Sequence, residues 1–192
     1  MIREVRKEDY DALFKGHIKR DFARQERRPL AVLRRLYDRG QYTILTLHND
    51  ETGALMAYAA LLYSTALDSM LLDYLAVEPE YRKTGVGSRF MREIAVWRGT
   101  GGILIECESP KQAKNVAEKK DRGRRIAFYK KSGAVETGVC WFLRGIHFEL
   151  LWLPVNKTLQ EVNVAQDIVQ LYGIAVPQGI LRFFAKVQKS ET

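Results

Sequence analysis

Apolar positions in this chain alternate between short runs of strand character and stripes at helical spacing, the pattern of a mixed α/β domain. Met1 to Val5 reads as a short strand, and about Glu8 to Phe22 as a helix with Tyr10, Leu13, Phe14 and Ile18 on its apolar side. A charged loop, Arg24-Gln25-Glu26-Arg27-Arg28, runs into Pro29, which suits a first helical position, and a second helix through Leu33, Leu36 and Tyr37 closes at Gly40. Gln41 to His48 and Ala54 to Ser64 form a hairpin about Asn49-Asp50-Glu51-Thr52-Gly53, and Met70 to Val77 adds a third strand to that sheet.

From Val86 the positions Val86, Phe90, Ile94 and Trp97 are helical in spacing, and Gly99-Thr100-Gly101-Gly102 breaks the helix. Ile103 to Cys107 is a nearly continuous apolar strand that contains one acid, Glu106. A further helix covers at least Ile126 to Lys131, and Ala134 to Leu143 pairs with His147 to Leu153 about Arg144-Gly145. Thr158 to Tyr172 and Gln178 to Val187 read as terminal helices separated by Pro177. Hairpins followed by strand-helix-strand units imply a mixed sheet with helices on both faces. No repeat or linker divides the chain, so 1–153 reads as one domain and 154–192 as a helical extension packed on it.

With 46% apolar and 28% charged residues the chain can bury a core, which excludes a disordered tail. No apolar run approaches the roughly 18 residues of a membrane span. The first residues, Met1-Ile2-Arg3-Glu4-Val5-Arg6-Lys7-Glu8-Asp9, lack the apolar stretch of a secretory signal, so the cytoplasm is the expected compartment. Cys107 and Cys140 form no C-x-x-C, and His17, His48 and His147 share no ligand spacing, so neither a metal nor a disulfide is expected.

The net charge of +8 is concentrated. Between Lys111 and Lys131 nine basic residues stand against two acidic ones, a local 9 − 2 = +7. A solvated face, a phosphate-bearing ligand and a nucleic acid all suit such a run. The absence of any aromatic residue from Lys111 to Arg125 counts against stacking on bases.

The chemically informative stretch is Leu75-Ala76-Val77-Glu78-Pro79-Glu80-Tyr81-Arg82-Lys83-Thr84-Gly85-Val86-Gly87-Ser88-Arg89-Phe90. Two glycines at a helix start let backbone N–H groups converge on an anion. It is not a Walker A loop, which needs a glycine five residues before Gly87 and a Lys after it, nor a dinucleotide fingerprint, which needs glycine where Phe90 stands.

Arg82-x-x-Gly85-x-Gly87, after a strand ending Leu-Ala-Val and an acidic proline turn, resembles the pyrophosphate-binding motif of the GNAT acetyltransferase superfamily. Ile103 to Cys107 falls where that family has its fifth strand, and Phe128-Tyr129 before Ser132-Gly133 resembles the end of its following helix. The likeness spans residues 1 to about 153. It implies a mostly antiparallel sheet splayed between strands 4 and 5, with acetyl-CoA as acyl donor in the opening.

In that resemblance Leu75, Ala76 and Val77 hold the pantetheine and one of their amides polarises the thioester carbonyl. Backbone amides from Lys83, Thr84, Gly85, Val86, Gly87 and Ser88, with Arg82, hold the pyrophosphate, and Arg125 adds charge. An amine must be neutral to attack a thioester, so a base is needed, and the departing thiolate needs an acid. Glu106 is the first candidate for the base, occupying the position used by the ribosomal-protein alanine acetyltransferases of the family. Asp73 is the second, and Tyr129 is the candidate acid. Glu106 paired with an arginine such as Arg125 is the competing structural role, and Glu108 is expected off that face or beyond the strand. Phe22, Glu26, Tyr63 and Trp141 are candidates to line the acceptor side, with Glu26 or Asp73 attracting a cationic amine. The expected activity is N-acetyl transfer to a primary amine on a small molecule or peptide, without membrane or nucleic-acid partner, in a monomer or homodimer. The alternative is a silent acyl-CoA sensor or a ribosome-associated binding module.

Overall fold

Successive side chains of a strand point to opposite faces, and among the described residues, 1–143, 145–176 and 185–189 of the computed structural model, both faces of one sheet are covered. Its strands are β1 (Ile2–Glu4), β2 (Tyr42–His48), β3 (Leu55–Tyr63), β4 (Ser69–Val77), β5 (Gly102–Glu108), β6 (Val135–Leu143), β7 (Ile146–Pro154) and β8 (Ala185–Lys189). They lie in the order β1-β2-β3-β4-β5-β7-β6-β8, antiparallel at every junction except the parallel β4–β5 pair.

A helical path crosses one face early in the chain: a 3-10 turn (Lys7–Asp9), α1 (Tyr10–Leu13), a π turn (Phe14–Ile18) and α2 (Lys19–Asp21), followed by α3 (Leu30–Asp38). Together with α6 (Val164–Ala175) these helices bury Phe14, Ile18, Leu33, Leu36, Ile168 and Leu171 against Ile44, Tyr58, Leu71, Leu104 and Leu150. The opposite face carries α4 (Val86–Val96) and α5 (Val116–Lys131), which set Phe90, Met91, Ile94 and Tyr129 on Leu45, Ala59, Leu61, Leu72, Ile103 and Ile105. No helix among the described residues is long and apolar enough to cross a membrane.

Two irregularities shape the sheet where it matters. The β3–β4 register passes from Ala60↔Tyr74 to Leu61↔Leu72, which leaves Asp73 as an extra residue in β4. Such a bulge breaks the alternation and re-aims the side chain. The β4–β5 ladder then stops after Ser69↔Gly102, Met70↔Ile103, Leu71↔Leu104 and Leu72↔Ile105, although β4 continues to Val77 and β5 to Glu108. Beyond Leu72 the edge of β4 that faces β5 has no strand beside it among the described residues. This is the expected splay.

The turn that leads from β4 into α4 is anchored to the early helices through buried Glu78. Its carboxylate accepts from His17 Nδ1 at 2.7 Å and from Arg20 at 2.8 Å. Burial alone would raise the Glu78 pKa, but the bonds from Arg20 and His17 bring it below the ordinary value.

Of the two terminal helices expected, the one from Thr158 to Tyr172 is present as α6, and the segment after it differs. Residues 177–184 lie outside the described ones, while Ala185 to Lys189 form β8 on the edge of β6, from Leu143↔Ala185 to Val139↔Lys189. Val187 packs on the core between exposed Lys186 and Gln188, a period-2 alternation that fits an edge strand once β6 offers its free ladder. The α5 helix also begins ten residues earlier than the expected minimum. Asn115 caps it by accepting from the Glu118 N–H, which lets a highly charged first half stay helical.

Candidate active site

After β4 the chain turns through Pro79–Tyr81 and enters α4 by way of Lys83 at φ 66° and Gly85 at φ 88°. A left-handed backbone at Gly85 is available to glycine without steric cost. Gly85 caps α4 with no side-chain bond, so the N–H groups of Val86, Gly87 and Ser88 stay free to meet an anion at the positive end of the helix. A Cβ on Gly87 would come within 3.2 Å of the Phe128 ring and 3.3 Å of Val77. The missing side chain is what lets α4 sit this close to both β4 and α5. Arg82 Nε donates to the Val77 carbonyl at 2.9 Å, and its guanidinium stands 4.0 Å from Asp21, at the end of the helical path on the other side of the sheet.

Where β4 and β5 part, a cleft of about 1300 Å³ runs between them. Leu75, Val77, Arg82, Lys83, Gly85, Gly87, Ser88, Arg125, Phe128 and Tyr129 line it on the α4–α5 side. Phe22, Pro29, Val32, Tyr74, Phe148 and Tyr172 line it on the other side, with Asp73 and Glu106. The opening therefore connects the two faces of the sheet. Thr84 and Val86 are not among its lining residues; the Thr84 hydroxyl instead donates to the Tyr81 carbonyl at 2.6 Å and holds the turn.

A polar network fills the floor. Arg28 Nε stands 2.9 Å from both oxygens of Asp73, whose Oδ2 also accepts from the Tyr42 hydroxyl at 2.8 Å. The Arg28 guanidinium carbon lies 5.0 Å from the centre of the Tyr172 ring, a cation–π contact, and its backbone N–H donates to the Tyr74 hydroxyl at 2.7 Å. Tyr172 in turn donates its hydroxyl to the Glu106 carboxylate, 2.8 Å from Oε2 and 3.0 Å from Oε1. Burial pushes the Glu106 carboxyl up to about 7, with the Tyr172 bond and the Arg28 charge pulling the other way. Burial, and then the neighbouring Glu106 charge, hold Tyr172 well above the ordinary phenol value, so it stays a donor.

Glu106 has no ion pair with Arg125 among the described residues; its neighbour is Tyr172. Asp73 has both oxygens engaged by Arg28 and Tyr42, which is not how a carboxylate waiting for a proton is held. Glu26, the other acid expected to draw a cationic amine, accepts from the Ala23 N–H at 2.8 Å. Glu108 is not off the Glu106 face: it is the last residue of β5, two on from Glu106, lines the cleft, and pairs with Arg122 at 2.7 Å. Phe22 and Glu26 line the cleft, whereas Tyr63 stacks against Trp97 and Trp141 is buried against Tyr172.

Tyr129 is on the α5 side, its phenol raised by burial and by Cys107 beside it, with Arg125 opposing. Burial pushes the Cys107 thiol up to about 12, so it is a poor source of thiolate. Arg28, Tyr42 and Tyr172, which build the surroundings of Glu106 and Asp73, were not singled out from the sequence.

A sheet parted beside an uncapped, glycine-led helix is the mixed α/β arrangement that the sequence resemblance implied. Residues 39–133 match the family described as the acetyltransferase (GNAT) domain, and the chain belongs to the GNAT superfamily. Among solved structures it is similar to a GNAT-family protein from Bacteroides thetaiotaomicron, with TM-score 0.61 and 17% identity over 90% of this chain and 94% of that one. It is similar to the spermidine/spermine N-acetyltransferase SpeG of Vibrio cholerae, with TM-score 0.58 and 13% identity over 85% and 99%. The ribosomal-protein-S18-alanine N-acetyltransferase of Escherichia coli gives 0.52 and 17% over 85% and 98%. At these identities the likeness is one of fold. No curated protein matches the sequence.

Proposed function

We propose that this chain transfers the acetyl group of acetyl-CoA to the nitrogen of a primary amine, by direct attack in a ternary complex. The observation that carries the reading is the cleft itself: the Glu106 carboxyl lies on one side of the parted sheet and Tyr129 on the other, both lining one opening.

Acetyl-CoA suits the residues on the α4–α5 side. The uncapped amides Val86 to Ser88 suit a pyrophosphate, with Arg82, Lys83, Gly85 and Arg125 lining the cleft beside them and Thr84 holding the turn. The unpaired edge of β4 over Leu75, Ala76 and Val77 suits the pantetheine amides. The amine would enter from the α6 side. Glu106 takes its proton, and the nitrogen forms a bond to the thioester carbonyl carbon while the carbon–sulfur bond breaks. The thiolate leaves with a proton from Tyr129, a phenol that carries its proton at neutral pH. Asp73 serves this scheme by fixing Arg28 rather than by acting as base.

The test is thiol release from acetyl-CoA across a panel of primary amines. Tyr129→Phe should lower kcat by roughly 10²- to 10⁴-fold with acetyl-CoA affinity retained, the size of a lost general acid. Turnover equal to that of the unaltered protein removes Tyr129 from the chemistry. Acetyl-CoA binding without thiol release for any amine would leave a sensor rather than an enzyme.

A further inference from the structure

We propose that the acceptor end of the cleft selects a primary amine carried on an uncharged apolar body of aromatic size and discriminates against polycations, a selectivity that rests on the acetyl-transfer reading above. The walls on the Glu106 side are Phe22, Pro29, Val32, Tyr74, Phe148 and Val176, contributed by four separate parts of the chain. Phe22 and Tyr74 already pack ring to ring at 4.8 Å, and they present an apolar surface on which a flat or branched body loses water favourably.

The charges on that side are what decide the class. A polyamine keeps its remaining ammonium groups in a desolvated site only where carboxylates stand free to pair with them. Here the acids withdrawn from water are committed. Asp21 accepts from Arg20 at 2.7 and 2.9 Å and from the Tyr58 hydroxyl at 2.8 Å. Asp73 is clamped by Arg28 and Tyr42, Glu108 pairs with Arg122 at 2.7 Å, and Glu26, which accepts from the Ala23 N–H, is exposed to water rather than set in the dry part of the cleft. Glu106 is needed for the reacting nitrogen.

Beside these acids stands a cation, Arg27. Arg27 lines the cleft, and its buried Nε has no hydrogen-bond partner among the described residues. This guanidinium repels a second positive centre on the acceptor, whereas an uncharged body meets no such repulsion. The site thus differs in charge logic from what the name of SpeG says of that protein, despite the shared fold.

The experiment compares 2-phenylethylamine with spermidine on the full-length protein in two readouts. Thiol release from acetyl-CoA should give a kcat/KM at least about tenfold higher for 2-phenylethylamine, a modest figure for pocket discrimination. Calorimetric binding of each amine in the presence of CoA, which cannot react, should rank them in the same order. Arg27→Glu should narrow the binding ratio by improving spermidine, while leaving CoA affinity in place. Spermidine binding as tightly as 2-phenylethylamine, or neither amine binding, overturns the proposal. Binding in the expected order without thiol release would instead overturn the catalytic reading and leave the selectivity standing.

Discussion

Glu106→Gln is expected to lower kcat/KM for amine acetylation roughly 10²- to 10⁴-fold, the range for losing a general base, with acetyl-CoA binding preserved. The amide keeps the size and the bond from Tyr172 but cannot take a proton. The pH profile carries the sharper test. With its carboxyl pushed up to about 7, Glu106 is the active carboxylate only above that pH, so kcat/KM should fall below about 7. The amine's own titration adds the same slope to both proteins, and the ratio of the two profiles isolates Glu106. Removing the Tyr172 hydroxyl, as in Tyr172→Phe, takes a hydrogen bond from the ionised form and should move this limb to higher pH with little change in acceptor KM. A limb that stays in place would mean that Glu106 is not the titrating group.

Stability gives an independent sign for the same residue. A carboxyl raised in the folded chain binds its proton more tightly there than when unfolded, so folding is favoured at low pH and this contribution is lost as pH rises through about 7. Glu106→Gln should therefore gain in Tm over the unaltered protein as pH rises from about 5 to 8, a trend that needs no substrate to observe.

Arg28→Met is expected to cost about 3–5 kcal/mol of folding stability, the usual price of stranding one half of a buried ion pair. Arg28 and Asp73 are 12% and 7% exposed, and Asp73 would keep only the Tyr42 hydroxyl. Arg28 also lies over the Tyr172 ring, so activity should fall with stability as Glu106 loses its fixed neighbour. Asp73→Asn added to Arg28→Met should recover much of the stability, because the stranded charge is then gone, without recovering activity. Urea unfolding decides the matter: a loss under about 1 kcal/mol for Arg28→Met would show that water reaches Asp73 and that the floor is not the dry network described.

The sequence disclosed what is local. The order of elements along the chain, the hairpins and the loop from Arg82 to Ser88 follow from spacings of a few residues, because an uncapped glycine-led helix is written in consecutive positions. The floor of the site is assembled across distance. Arg28 meets Asp73 over 45 residues and Tyr172 meets Glu106 over 66, and neither pairing leaves a mark on periodicity. Arg28 sits in a run of charges that reads as a solvated loop, and Tyr172 occupies an apolar helix where it reads as core. Tyr172 is in fact both, 6% exposed with its hydroxyl turned onto Glu106. The strand at Ala185 to Lys189 escaped for a similar reason, since an edge strand depends on the ladder it joins more than on its own residues.

The four-pair β4–β5 junction has a mechanical meaning as well. It is the seam between a half-sheet of β1 to β4 and another of β5 to β8, and it is closed at one end only. Hydrogen bonds that the protein withholds from itself there can be completed by a guest lying along β4, which would then act as a stitch joining the halves. Donor occupancy and the rigidity of the whole sheet would be one cooperative quantity, so that a donor bound there would, by stiffening the seam, set the distance from β4 to Glu106 before an amine arrives.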